Sequence, residues 1–339
     1  MSNQPYAIVI PRYDEKRGLS VPYLGDQVLA EISREHGDMF SPVYAIDELF
    51  SDGSNKVVLD SSVRKKEVYV INQPSLHPNE TLMFSLLIID ALNRCDAKEI
   101  VVIEPYLSFL RQDKMHGREP VTSRLIGDLY LTVGAKRVMT FHPHVDQAVA
   151  AFSSRCHLEP FPLYRYLAEC YRQRHELNDA VVCAPDLGAV EIAEKFAEVL
   201  GLPLVVTVKE RIGTDRSRIK YLIGDVTRKK VIIFDDVLGT GGTIFNARDY
   251  LMERGATDVE ACASHLGLYN KKDPKTGELI NPTDMIVREG MHVIGTDTIP
   301  RVFTPEQTEY FDIYSTPPLI ASIILHRTLG ESLSHFFDN

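Results

Sequence analysis

Apolar residues along this chain come in short runs separated by stretches that carry a helical repeat. The runs lie at 67–72, 99–104, 137–141, 180–184, 204–208, 231–235, 258–264 and 292–296. Rich in Val and Ile, they read as strands buried on both faces. Between them, apolar residues recur at three- and four-residue spacing over 81–95, 122–133, 190–200 and 243–254, which predicts helices with one apolar face. Strand–helix alternation of this kind predicts parallel α/β sheets. One echo stands out. Gly134-Ala135 is followed by Val138 and His144, and Gly255-Ala256 by Val259 and His265 at the same offsets. The echo predicts two domains of one fold. Ser153-Ser154-Arg155 and Pro160-Phe161-Pro162 interrupt the periodicity, which divides the chain into 1–157 and 158–339, with the last helix expected to pack back on the first domain.

A length of 339 residues is enough for a sizeable core in each of two domains. The net charge of −10 argues against nonspecific nucleic-acid binding and leaves room for local basic loops. The 5 cysteines are scattered, with no C-x-x-C pair, as expected of buried thiols in a reducing compartment. Residues 1–13 lack a charged segment followed by an apolar one, and no apolar run reaches membrane-spanning length. A cytoplasmic protein with no membrane partner is expected.

The densest chemistry follows the strand at 231–235. Asp235 and Asp236 stand at the C-terminal end of the run, where open α/β sheets place their ligands. Gly239, Thr240, Gly241, Gly242 and Thr243 come next and open a helix. Glycines let backbone N–H groups turn toward a phosphate, threonine hydroxyls add donors, and the helix N-terminus favours an anion. The two carboxylates are placed to accept from sugar hydroxyls or to hold a metal. No lysine follows the last glycine, so this is not a Walker A loop, and the third glycine of the dinucleotide fingerprint is missing. A plain turn with two capping acids would not need three glycines as well. The segment reads as a ribose-phosphate cradle.

Other segments are weaker alone. Arg111, Lys114, Arg118 and Arg124 supply positive charge after the strand at 99–104, in what composition alone makes a solvated loop. His142 and His144 stand two apart at a strand end, so alternation puts both on one face, as metal ligands or as polar strand-end packing. Pro185-Asp186-Leu187-Gly188-Ala189 opens another helix and suits pyrophosphate, its magnesium, or simply an N-cap. Lys209-Glu210-Arg211, with Arg216, Arg218 and Lys220, reads as a basic lid or a solvated hairpin. Phe50-Ser51-Asp52-Gly53 is a turn whose aromatic either stacks on a base or anchors the turn.

Taken in order, these segments resemble ribose-phosphate pyrophosphokinase over nearly the whole chain. The resemblance continues through Thr296-Asp297-Thr298-Ile299-Pro300 to Gly330-Glu331-Ser332-Leu333-Ser334. It implies two tandem type I phosphoribosyltransferase-like domains with parallel sheets, in a dimer-based homo-oligomer, commonly a hexamer. The implied reaction moves the pyrophosphoryl group of Mg-ATP to the 1-hydroxyl of ribose 5-phosphate. By the same resemblance, Phe50, Asp52, Arg111, Gln112, Asp113, Arg118 and His144 bind ATP, with Phe50 and Asp52 serving a neighbouring subunit's adenine. His144 and Asp186 match the magnesium positions, and Asp186, Leu187, Gly188 and Ala189 the pyrophosphate loop. Asp235 and Asp236 would receive the ribose hydroxyls, and Gly239, Thr240, Gly241, Gly242 and Thr243 the 5-phosphate. Lys209 and Arg211 match the catalytic lid. The chain departs from the pattern at Ser54, His142, Ala189 and Gly239. Those departures leave two alternatives open: a larger, substituted ribose phosphate as acceptor, or a non-catalytic regulatory subunit.

Overall fold

The computed structural model describes residues 4–13, 23–74, 77–115, 117–144, 148–211, 217–272 and 276–337. The chain forms two compact units: Met1–Pro162 with Ile299–Val302 and Thr316–Asn339, and Leu163–Thr298 with Phe303–Ser315.

The first unit contains β1 (Tyr6–Arg12), α1 (Leu24–His36), β2 (Phe40–Leu49), β3 (Asn55–Leu59), β4 (Glu67–Ile71), α2 (Pro78–Arg94), β5 (Glu99–Glu104), α3 (Thr122–Val133), β6 (Arg137–Phe141), α4 (Ala148–Ala151) and β7 (His157–Phe161). Its sheet runs β3-β2-β1-β4-β5-β6-β7. All neighbours are parallel except the β2–β3 hairpin. The central strands are buried along almost their whole length, which is why their apolar residues run on without alternating.

The second unit contains α5 (Tyr164–Arg174), β8 (Ala180–Ala184), α6 (Val190–Leu200), β9 (Leu204–Arg211), β10 (Ser217–Ile223), β11 (Lys230–Leu238), α7 (Gly242–Glu253), β12 (Asp258–Leu266), a small hairpin β13 (Lys271–Lys272) and β14 (Leu279–Ile280), α8 (Pro282–Arg288), β15 (Val293–Thr296), α9 (Pro305–Thr308) and β16 (Phe311–Tyr314). Its main sheet runs β10-β9-β8-β11-β12-β15-β16 and is again parallel apart from one edge hairpin, β9–β10. The two sheets therefore share one strand order. α10 (Pro317–Leu329) belongs to the first unit, where it packs on α1.

Three sequence expectations meet differences here. The division expected at 157/158 falls inside β7, an edge strand bonded only to β6, and the compact units part at Pro162. Pro160 lacks an N–H, which an edge strand tolerates. The Gly-Ala echo matches β6 with β12, yet these are the sixth and fifth strands of their sheets. Gly134 and Gly255 have φ of 102° and 91° and end α3 and α7, so the echo records helix-stop chemistry. What repeats between the units is the strand order. Finally, β11 runs on to Leu238 because Val237 and Leu238 pair with His265 and Leu266. Asp235 and Asp236 thus lie within the strand.

Candidate active site

In the second unit, β8 and β11 are neighbours, but β8 leads on to β9 on one side and β11 to β12 on the other. That reversal is the crevice where open α/β sheets bind ligands. The segment after β8 and the segment ending β11 both open there, and β9 adds Lys209.

After β8, Asp186 caps a single turn of 3-10 helix over Leu187, Gly188 and Ala189, and its Oδ1 accepts the Gly188 N–H at 3.1 Å. Its Oδ2 faces Lys209 Nζ at 3.0 Å. Ala189 sits at φ −89°, so its Cβ is accommodated without strain, and Leu187 is exposed. Lys209 is largely buried, its side chain 14% exposed. Arg211 ends β9, and its side chain, like residues 212–216, lies outside the described residues; so does the side chain of Arg218.

At the end of β11 each carboxylate accepts the next backbone N–H. Asp235 Oδ1 takes Asp236 N at 2.9 Å, and Asp236 Oδ1 takes Val237 N at 2.7 Å. Burial, with the charges of Asp236 and Asp186, pushes the Asp235 carboxyl well above its ordinary range. Gly241 precedes α7 at φ +79°, and a methyl there would come within 2.5 Å of the Phe245 ring. A methyl on Gly242 would meet nothing within 4 Å, so a ligand has room to approach that backbone. Thr240 is exposed, while Gly239 and Thr243 are half-buried.

In the first unit, Arg111 and His144 line one cleft with Tyr106, Leu107, Leu110, Phe141, His142 and Pro143. The Thr122 hydroxyl donates to the carbonyl of Phe109 at 2.9 Å, and the Ser123 N–H to that of Gln112 at 3.3 Å, tying the loop to the start of α3. Asp113 faces Lys114 at 3.8 Å, and Arg118 is exposed. His142 and His144 both border this cleft, but not as neighbours on one strand face. β6 stops at Phe141, and His142 turns to φ +39°, so it is buried while His144 is exposed. At the β2–β3 tip, Phe50 is 55% exposed, and Asp52 accepts from the Ser54 N–H and hydroxyl, which lower its carboxyl. Tyr106, Leu107 and Leu110 were missed from sequence; their only signal is that they join the strand end to Arg111.

The donors present suit magnesium. Asp186 offers a part-exposed carboxylate that a divalent cation would take in place of the Lys209 ammonium, and burial with neighbouring negative charge raises the Asp235 carboxyl beside it. Among the described residues no three His, Cys, Asp or Glu side chains form a cage. Magnesium typically binds through one or two carboxylates, with water and phosphate oxygens completing its shell. Among the described residues no helix is long and apolar enough to cross a membrane.

Residues 20–134 match the N-terminal domain of ribose phosphate pyrophosphokinase, and residues 163–289 the phosphoribosyl transferase domain. A ribose-phosphate pyrophosphokinase of Caldanaerobacter subterraneus is 36% identical over 294 residues, 85% of this chain and 88% of that protein. One from Campylobacter jejuni is 33% identical over 290 residues, 85% of this chain and 89% of its own. The crystal structure of phosphoribosylpyrophosphate synthetase from Mycobacterium smegmatis superposes with a TM-score of 0.79 at 31% identity, covering 96% of this chain and 99% of that one. The chain belongs to the ribose-phosphate pyrophosphokinase family.

Proposed function

We propose that this protein transfers the pyrophosphoryl group of Mg-ATP to the 1-hydroxyl of ribose 5-phosphate, giving phosphoribosyl pyrophosphate and AMP. The observation that carries the reading is the meeting, at the β8/β11 reversal, of a glycine-rich helix start, three carboxylates and the buried Lys209. The Arg111–His144 cleft adds a nucleotide half-site that a simple phosphoribosyltransferase would leave unused.

The acceptor phosphate lies on the N–H groups and hydroxyls of Gly239, Thr240, Gly241, Gly242 and Thr243, at the N-terminus of α7. Asp235 and Asp236 hold the ribose hydroxyls. Arg111, Gln112, Asp113 and Arg118 hold the nucleotide, and the exposed Phe50, with Asp52, stacks against the adenine of a neighbouring copy in a dimer-based homo-oligomer. His144 and Asp186 would hold the magnesium, which would supply positive charge against the polyphosphate. The 1-hydroxyl oxygen bonds to the β-phosphorus, the bond from that phosphorus to the AMP oxygen breaks, and the hydroxyl proton passes to water. Lys209 and Arg211 neutralise the charge that spreads over the transferring group, while the loop of Asp186, Leu187, Gly188 and Ala189 receives the pyrophosphate. The cytoplasm is the proposed setting, in keeping with five free thiols.

Incubation with Mg-ATP and ribose 5-phosphate tests this. AMP and phosphoribosyl pyrophosphate appearing in equal amounts, and only with the sugar present, is the expected result. Absence of both from folded protein that binds ATP would overturn the acceptor assignment.

A further inference from the structure

β12 ends at Leu266, yet its pairing with β11 continues past that point. The Leu268 N–H donates to the Leu238 carbonyl at 2.9 Å, and the Tyr269 N–H to the Gly239 carbonyl at 3.1 Å. Leu268 makes the turn at φ +42°, a conformation that a bulky residue holds only where its surroundings impose it. Here the surroundings do so, because Leu268 is 4% exposed and joins the core cluster that contains Leu238 and Leu266. The turn sends the Tyr269 ring back over Gly267. A methyl on Gly267 would come within 2.6 Å of Tyr269 Cε2 and 3.2 Å of the Leu238 oxygen. On the other side, Tyr269 Cδ2 is the nearest atom to where a side chain would begin on Gly239, at 3.9 Å. The ring lies close over Gly267 and faces the side of Gly239 on which a side chain would begin.

We propose that Tyr269 is a positioning residue for the acceptor phosphate, acting through the first residue of the glycine-rich loop; this rests on the reading of that loop as the phosphate cradle. A run of glycines has no side chains with which to hold itself, and its unbound freedom is costly to remove. Converging N–H donors must nevertheless be held to about 0.5 Å. The carbonyl of Gly239 accepts the Tyr269 N–H, and the ring stands on the side where a Gly239 side chain would begin, which limits the direction in which the loop leaves β11.

The test compares Tyr269→Ala, Tyr269→Phe and Gly267→Ala by steady-state kinetics and by hydrogen exchange of the amides at 239–243. Tyr269→Ala is expected to raise KM for ribose 5-phosphate roughly tenfold while kcat and KM for ATP stay within about twofold. Exchange across 239–243 should rise with it. Tyr269→Phe should match the parent, because the ring makes the contact, and Gly267→Ala, which displaces the ring, should reproduce Tyr269→Ala. Unchanged exchange and KM in Tyr269→Ala would overturn the proposal, as would a Phe variant as impaired as the Ala one. The exchange readout needs no acceptor. A parent that ignores ribose 5-phosphate while Tyr269→Ala still loosens the loop would therefore sink the acceptor assignment and leave the role of the ring standing. Should Tyr269→Ala not fold, Gly267→Ala alone decides by the same two readouts.

Discussion

Lys209 neutralises Asp186 at 3.0 Å and is mostly out of water, so its ammonium must exchange a carboxylate for phosphate oxygens when it acts. An interaction made chiefly with the transferring group lowers the barrier without tightening nucleotide binding. Lys209→Ala is therefore expected to lower turnover by at least about a hundredfold with ATP affinity nearly intact, read from steady-state rates beside calorimetric titration. Unaltered turnover would remove β9 from the mechanism. A different carboxyl, Glu104 at the end of β5, is raised to about 7 by burial, although Tyr130, Asn72 and Ser85 hydrogen-bond to it. Folding lifts it above its ordinary 4.5, so between those values the folded chain keeps a proton that the unfolded chain has lost. Its contribution is therefore most favourable below about pH 4.5 and falls by roughly 3 kcal/mol as pH rises through 7. Glu104→Gln keeps the accepting oxygen without the charge. Calorimetry above pH 7 should show it melting higher than the parent, with a flatter dependence below; identical pH slopes would refute this. The Asp235–Asp236 pair and the glycine loop stand out in the sequence because their residue types cluster at a strand end. Glu104 does not, since it reads as the last residue of an apolar run. Nor does Tyr269, whose placement depends on the turn at Leu268 and on a strand some thirty residues earlier.

At the level of elements, most strands buried on both faces coincide with the apolar runs read from the sequence, β1 being an exception. β4, β5, β6, β8, β9, β11, β12 and β15 lie where the apolar runs fall, within a few residues at their ends. Other strands lack such a run. β2 alternates buried and exposed positions and carries Pro42, and β10 interleaves Arg218 and Lys220 with its apolar residues. α10, the last helix, has no single apolar face. Its apolar residues surround the helix, and what orders it is α1, nearly three hundred positions earlier. Its far end is held by Arg327, which meets Glu99 at 2.6 Å and Glu67 at 3.7 Å with 17% of its side chain exposed. Removing a mostly buried cation leaves Glu67 without its counter-charge and Glu99 with only Arg137, at 3.9 Å. Arg327→Ala should cost about 2–3 kcal/mol in urea unfolding followed by circular dichroism. Arg64→Ala, which breaks an exposed pair with Asp96, should stay within about 0.5 kcal/mol. Equal shifts in the two variants would mean that Arg327 does not anchor the helix.

Across the whole molecule, one strand order is used twice with different equipment. The edge hairpin of the first sheet carries the exposed Phe50, and its counterpart in the second carries Lys209. The glycine-rich helix start follows the fourth strand of the second sheet, whereas the Arg111 loop follows the fifth strand of the first. A duplicated scaffold with unlike loops predicts a division of labour, with the acceptor on the second unit and the nucleotide on the first. Gly241→Ala tests one half. It puts a side chain at φ +79° and a methyl 2.5 Å from Phe245, which strains the loop and turns its donors away from the phosphate. It should abolish measurable ribose 5-phosphate binding in calorimetric titration while ATP affinity stays within about threefold of the parent. Arg111→Ala should do the reverse, weakening ATP by roughly tenfold or more through loss of a charge-assisted contact. If each variant damaged both ligands equally, the two half-sites would be acting as one, and the assignment of one ligand to each unit would fail.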